Sequence, residues 1–203
     1  MLDMKIKNII PLICLSLILF SSCHKKKYDY GNFTDARNGK EYKSVDVGGK
    51  IWMAENLNYE GDIALGTDTS TTTPHRYYPN NSEANVETCG YLYNKTAAFG
   101  NSDASSDKVQ GICPDGWHLP SRSEWESLID EIIDDEDYMS DFTSQSAGAY
   151  NGSYVNYGKR QYYWTSTEFD TERSYFGIMY RMEADFTGTA DRETALSVRC
   201  VKD

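Results

Sequence analysis

Only three histidines, at positions 24, 75 and 118, are available for acid–base or metal chemistry in this 203-residue sequence. His118 lies between Trp117 and Leu119, a setting that suits a packed, hydrogen-bonded imidazole better than a general base. Cys89, beside Gly90, could act as a nucleophile, but a catalytic thiol needs a base within hydrogen-bond reach and no histidine is placed near it. Asp134-Asp135-Glu136-Asp137 offers the hard oxygen ligands that calcium prefers. Its spacing does not fit an EF-hand loop, the turn glycine is missing, and carboxylates at a helix C-terminus oppose the dipole. A solvated acidic face is the reading carried forward. The remaining carboxylates crowd the whole sequence, so no glycosidase pair stands out. No glycine-rich phosphate loop, His-Glu-x-x-His or Gly-x-Ser-x-Gly elbow occurs. The expectation is a protein with no catalytic residues, no cofactor and no metal. What remains is aromatic surface: sixteen tyrosines, seven phenylalanines and four tryptophans supply flat, partly polar faces that suit sugars and protein partners alike. Trp52, Trp117, Trp125 and Trp164 are assigned mostly to the core.

The stretch from Cys113 to Leu128 carries the clearest structural signals. Pro114-Asp115-Gly116 reads as a turn, because proline fixes φ and glycine accepts positive φ. Trp117, His118 and Leu119 then enter the core and Pro120 stops the segment. Ser121, with Glu124 three residues on, forms a capping box. Trp125, Leu128, Ile129, Ile132 and Ile133 follow at one-face helical spacing, with Glu126, Asp130, Glu131 and Asp134 opposite. Elsewhere, Val45–Val47 and Lys50–Trp52 flank Gly48-Gly49 as a two-residue hairpin. Thr67–Pro74 is a Thr/Ser loop, His75–Glu87 is polar and turn-rich, and 101–107 is another loop. Leu92–Phe99 reads as a second short helix, and the stretch from the acidic run to Arg160 as too polar for a core. Tyr162–Thr165 is strand-like; Phe176, Ile178, Tyr180 and Met182 alternate, as do Leu196, Val198 and Cys200, which puts Ser197 and Arg199 on the other face. Two short helices, small mostly antiparallel sheets and long loops make an α+β fold.

The first 22 residues read as a targeting segment. Lys5 and Lys7 precede an apolar run from Ile9 to Phe20, broken by Pro11 and Ser16 and shorter than the ~20 residues that span a bilayer. Leu19-Phe20-Ser21-Ser22-Cys23 resembles a bacterial lipobox, which implies acylation of Cys23; an uncleaved signal anchor is the alternative. Residues 23–33 are then a lipidated cysteine and polar linker, and 34–203 a single domain of a size that supports a proper core. His24-Lys25-Lys26-Lys27 either touches anionic headgroups or solubilises the tether. The formal charge is −11, and loss of the leader removes two lysines and one aspartate. Such an acidic chain is repelled by phosphate backbones, so nucleic acid is not an expected partner. Cys14 leaves with the leader, and Cys89, Cys113 and Cys200 remain. Export favours a disulfide over a zinc site. Three pairings are possible and spacing does not choose among them.

Cys113-x-x-Gly116-Trp117-His118-Leu119-Pro120-Ser121-x-x-Glu124-Trp125 resembles the signature of the Fibrobacter succinogenes major paralogous domain (FISUMP), found in lipoproteins of Bacteroidota and Fibrobacter. Trp52–Tyr59, Gly90–Asn94 and Ser197–Val201 agree with it, and Tyr163–Glu168 lies between them in the expected order. The resemblance spans most of 34–203 and implies an outer-membrane lipoprotein of the cell envelope without naming a reaction. In such lipoproteins surface export follows acidic residues after the acylated cysteine; their absence here points to the periplasmic face. A more distant resemblance is to the C-type lectin-like fold, carried by Cys-x-x-Gly-x-His-Leu before a helix, Tyr-Trp opening a central strand and a cysteine in the last strand. That resemblance implies a Cys113–Cys200 disulfide with Cys89 free. The Glu-Pro-Asn and Trp-Asn-Asp segments of calcium-dependent lectins are absent, as are the paired cysteines and Arg-Gly-Gly-Ser-type segment of formylglycine-generating enzymes. Neither site is therefore carried over. The lectin-like alignment puts the ligand-facing loops at Thr167–Tyr175 and Ala184–Arg192. The functional expectation is a lipid-anchored envelope protein that binds a glycan or protein without catalysis. The alternatives are a carbohydrate-active envelope enzyme and a subunit of a surface fibre or adhesion complex.

Overall fold

The structure, a computed structural model, describes residues 28–100, 102 and 108–203. The leader, the acylation site Cys23 and nearly all of the 101–107 loop lie outside the described residues. The described residues open with β1 (Asp29–Thr34), β2 (Glu41–Val47), β3 (Lys50–Met53), β4 (Ala64–Leu65) and β5 (His75–Tyr77). Two 3-10 turns, Pro79–Asn81 and Glu83–Asn85, lead into α1 (Val86–Cys89), β6 (Leu92–Asn94) and α2 (Lys95–Phe99). β7 (Trp117–His118) precedes the longer helices α3 (Arg122–Ile132) and α4 (Glu136–Thr143). Two hairpins follow, β8 (Ala149–Tyr150) with β9 (Tyr154–Val155) and β10 (Gln161–Glu168) with β11 (Arg173–Tyr180). β12 (Glu183–Asp185), β13 (Thr189–Asp191), β14 (Ala195–Leu196) and β15 (Val201–Lys202) complete the chain.

These strands make three sheets. One runs β1-β2-β3-β15-β7, a second β4-β5-β6-β14-β8-β9, and the third joins β10, β11, β12 and β13. Among the described residues β4 and β5 pair in parallel, as does the isolated bridge between Tyr163 and Ser197, and the other strand pairs are antiparallel. The fold is α+β. Gly48 and Gly49 both take positive φ, +61° and +81°, as the two-residue β2–β3 turn requires. α3 and α4 lay Trp125, Leu128, Ile132, Met139 and Phe142 against Val45, Trp52, Tyr163 and Met179. A second cluster gathers Tyr42, Met53, Tyr93, Trp117, Leu119, Trp164 and Val198. A third, smaller one holds Tyr77, Cys89, Leu92, Ala147, Tyr150 and Ala195.

Cys113 is bonded to Cys200, and Cys89 is free and buried. The disulfide sits beside the β7–β15 ladder, where His118 faces Val201 and Trp117 faces Lys202. Closing a loop of this length stabilises the fold by about 4–5 kcal/mol in the chain-entropy picture.

Several local expectations are corrected. Among the described residues four helices form, not two short ones. Residues 29–33, read as linker, belong to β1, which pairs with β2 from Asp29↔Asp46 to Thr34↔Glu41. Only Phe33 turns inward there, stacking on Trp117 at 4.2 Å, so a single apolar residue signalled the strand. Leu92–Phe99 is a strand followed by a short helix: the Asn94 side chain accepts from the Ala97 N–H, and a capping residue must itself be extended. The acidic run is the expected solvated face, with Asp134, Glu136 and Asp137 exposed, but it starts a second helix instead of ending α3. Asp135 accepts from the Tyr138 N–H at 3.1 Å, and Glu136 and Asp137 occupy the first turn of α4, the end where the dipole favours negative charge. The segment to Arg160 does contribute core, through Tyr138, Met139, Phe142, Ala147, Ala149 and Tyr150. In β11 the deepest burial falls on Ser174, Gly177 and Met179, whereas Phe176, Ile178 and Tyr180 are half-buried and Met182 is exposed.

Candidate functional site

A groove of about 610 Å³ opens between both outer strands of the six-stranded sheet, a volume within the usual range for ligand sites. Leu65 comes from β4 and Tyr154 from β9, so the sheet is rolled enough for its two edges to meet one hollow. Tyr78, Asn81 and Glu83 close the wall from the 3-10 turns. Tyr78, Tyr150 and Tyr154 line it, and Tyr77 supports them from beneath. Tyr77, fully buried, stacks under Tyr150 at 4.6 Å, and Tyr150 meets Tyr154 at 4.8 Å. The β8–β9 hairpin sets Tyr150 directly opposite Tyr154, with Asn151-Gly152-Ser153 as its tip. Tyr78 is half-buried and lies 6.1 Å from Tyr91. Asn80 and Asn81 both adopt left-handed φ, 52° and 56°, a conformation that short polar side chains tolerate. Burial pushes the Tyr77 phenol up to about 12 and raises that of Tyr154 as well, with Tyr150 adding to both. Protonated phenols can both donate and accept. No hydrogen bond among the described residues engages the hydroxyls of Tyr78, Tyr150 or Tyr154. The groove thus presents flat apolar faces edged by unspent polar groups.

A second constellation is buried. The Arg199 side chain has no exposure, and no carboxylate pairs with it among the described residues. Its Nε donates to Asn56 Oδ1 at 2.9 Å, and its guanidinium lies 4.0 Å from the Phe142 ring centroid and 5.3 Å from that of Tyr163. The Tyr163 hydroxyl lies within hydrogen-bond reach of two carbonyl oxygens, Asn56 Oδ1 at 3.2 Å and Gln161 Oε1, between which its single proton is shared. Asn56 in turn donates to the carbonyls of Cys89 and Gln145. Burial lowers the Arg199 pKa, against the favourable influence of Tyr163, and burial pushes the Tyr163 phenol up to about 12. Sequence periodicity puts Ser197 and Arg199 on the face opposite Leu196, Val198 and Cys200, yet both are fully buried. The position of Arg199 inside Leu196-Ser197-Val198-Arg199-Cys200-Val201, where every residue is buried, was the available signal. The network joins three of the signature stretches: Asn56 from 52–59, Tyr163 from 163–168 and Arg199 from 197–201.

The sequence model of the Fibrobacter succinogenes major domain matches residues 45–154. The chain belongs to this family. No curated protein and no solved structure matches it. The Fibrobacter succinogenes major domain match takes in the stretches at 52–59, 90–94 and 113–125, and every residue that lines the groove. It ends ahead of Tyr163–Glu168 and Ser197–Val201.

Within this Fibrobacter succinogenes major domain, the signature residues build architecture. Trp52, Trp125 and Trp164 are essentially inaccessible, and Trp117 and Leu119 are buried beside them. Trp125 Nε1 donates to the Trp164 carbonyl, and Trp164 Nε1 donates to that of Tyr93. Gly116 takes φ +77° at the turn. Ser121 and Glu124 exchange both bonds of the capping box. His118 is 3% exposed, with Nδ1 2.6 Å from Asp203 Oδ1 and Nε2 3.2 Å from Glu124 Oε1. Both ring nitrogens are therefore occupied by carboxylates, which leaves none to face a substrate. Burial would raise the Glu124 carboxyl, but hydrogen bonds from His118, Lys50 and the Ser121 N–H outweigh it and hold it far below the ordinary range. Burial pushes the Cys89 thiol up, the opposite of what a nucleophile needs. Among the described residues no group of three or more His, Cys, Asp or Glu side chains could hold a metal ion, the acidic run included.

The two segments expected to face a ligand lie together but away from the groove. β13 pairs with β11 so that Arg173 faces Asp191 and Tyr175 faces Thr189. Their charges are spent on one another: Asp170 binds Arg173 at 2.6 Å, and Arg192 binds Glu172 and the Thr171 carbonyl. Phe169 is exposed there, with Arg173 over its ring. Ala184 and Asp185 line a hollow of about 260 Å³ with Arg160 and Tyr180. The groove residues were not singled out from sequence. Tyr150-Asn151-Gly152-Ser153-Tyr154, two tyrosines across a turn, was the pattern that would have found them.

Proposed function

We propose that this protein is a lipid-anchored, cell-envelope binding protein that holds a glycan in the tyrosine groove and does no chemistry on it. The observation that carries the reading is the row of contacts from buried Tyr77 through Tyr150, stacked on it, to Tyr154, tilted against Tyr150, which fixes the partly exposed Tyr154 ring in the wall of a roomy groove. An aromatic face held in place before binding costs little ordering entropy when a sugar ring lands on it. The hydroxyls of Tyr78 and Tyr154 and the side chains of Asn81, Thr67 and Ser153 supply the mixed donors and acceptors that a polyol needs. The six-stranded sheet ends in strands of two residues, β4 and β9, too short to template an added peptide strand. Anchoring through Cys23 places the domain in the outer membrane, on its periplasmic face. The Cys113–Cys200 pairing and the Tyr163-Trp164 pair in β10 support reading the domain as a variant of the C-type lectin-like fold.

A second reading, a subunit of a surface fibre or complex, draws on β1, whose outer edge carries no further strand among the described residues. A glycan array run beside a pull-down from envelope extract separates the readings. Saturable glycan binding without turnover is expected. A stoichiometric protein partner with no glycan binding supports the subunit reading, and release of cleaved sugar supports a carbohydrate-active enzyme.

A further inference from the structure

The charge on the groove wall is one-sided. Of the residues that line it, Glu83 alone is charged at neutral pH, and it is exposed. Among the described residues no lysine or arginine contributes to the lining. The arginine closest in sequence, Arg76 on β5, is committed elsewhere: Nη2 binds Glu60 at 3.0 Å, Nη1 donates to the Ile63 carbonyl, and the guanidinium lies 5.2 Å from the Tyr91 ring centroid. An acidic sugar in the groove would meet a like charge with no counter-charge to offset it, on a chain whose formal charge is already −11. Like charges side by side discriminate against the wrong ligand even when they add nothing to the right one. A neutral sugar loses nothing by the arrangement, since its ring stacks on tyrosine and its hydroxyls meet phenols, Asn81 and Ser153.

Resting on the glycan reading above, we infer that the groove takes an uncharged saccharide and that Glu83 is the residue that turns acidic sugars away. The test titrates the full chain, solubilised in a mild detergent, with hexasaccharides of glucose and of mannose and with the hexamer of galacturonate. Each titration is run at low and at high salt, on the natural protein and on Glu83→Gln. A neutral hexamer is expected to bind with an affinity indifferent to salt. The galacturonate hexamer is expected to bind about fivefold more weakly, or worse, at low salt. That ratio narrows at high salt, where screening shortens the reach of Glu83, and narrows again in Glu83→Gln. Galacturonate binding as tight as the neutral hexamers overturns the inference and leaves the glycan reading standing. So does a ratio unchanged by Glu83→Gln. Binding by neither class overturns the glycan reading itself, and the inference falls with it.

Discussion

Glu124 gathers several donors onto one carboxylate: Lys50 at 2.7 Å, His118 at 3.2 Å, and the Ser121 N–H at 2.9 Å. A carboxyl held this far below its unfolded value contributes stability that is complete above the unfolded pKa of about 4.3 and lost as pH falls toward the folded value. The unfolding midpoint is therefore expected to drop as pH goes from about 5 to 3. Glu124→Gln should cost about 1–3 kcal/mol at neutral pH and flatten that acid limb; thermal melts across the pH range check both. Arg199 gives a different test. Arg199→Ala empties a slot between Phe142 and Tyr163 and should cost about 3–5 kcal/mol, whereas Arg199→Met refills it and should recover most of the loss. Recovery is expected because the hydrogen-bond partners of the guanidinium are neutral amides. Equal loss in both variants would show that the charge itself holds the network. The role of Glu124 was legible in Ser121-x-x-Glu124 because a cap is written in four consecutive residues. That of Arg199 was not, since its partners lie 143 and 54 residues away.

At the scale of elements, α3 is the piece whose sequence and structure agree best. Its cap, its period and its buried face are all local, and Trp125 seats its indole among Trp52, Tyr163 and Phe186. Ser121→Ala should cost about 1 kcal/mol and Trp125→Ala roughly 3–5 kcal/mol, both read as shifts in denaturant midpoint. Trp125→Phe keeps most of the contact but deletes the bond to the Trp164 carbonyl, so melting should fall while ligand affinity holds. Elements whose stability comes from afar were harder to read. β1 shows one inward residue and is a strand because β2 supplies its ladder. α4 has a half-polar sequence and is helical because Asp135 starts it and the faces of Tyr138, Met139 and Phe142 meet α3 and β2–β3. Gly90 is a similar case: at φ +67° a Cβ would sit 2.5 Å from the Leu57 carbonyl oxygen, a constraint set by a chain segment 33 residues upstream. The groove belongs to this class too, because β4, the 3-10 turns and the β8–β9 hairpin converge only in the rolled sheet.

For the whole molecule, the proposed lipid anchor and the proposed glycan groove call for separate tests. Cys23→Ala should abolish lipid labelling and release the protein from the membrane fraction; radiolabelled palmitate still entering that variant would contradict the lipobox reading. The central claim is that the Tyr150–Tyr154 platform holds the ligand. The most direct measurement is a calorimetric titration of the full chain and of Tyr154→Ala with a neutral hexasaccharide, alongside their thermal unfolding. Tyr154 is half-exposed at the end of the stack, so its removal should cost only about 1 kcal/mol of stability while affinity falls by roughly tenfold or more. An unchanged affinity in a folded Tyr154→Ala would contradict the account.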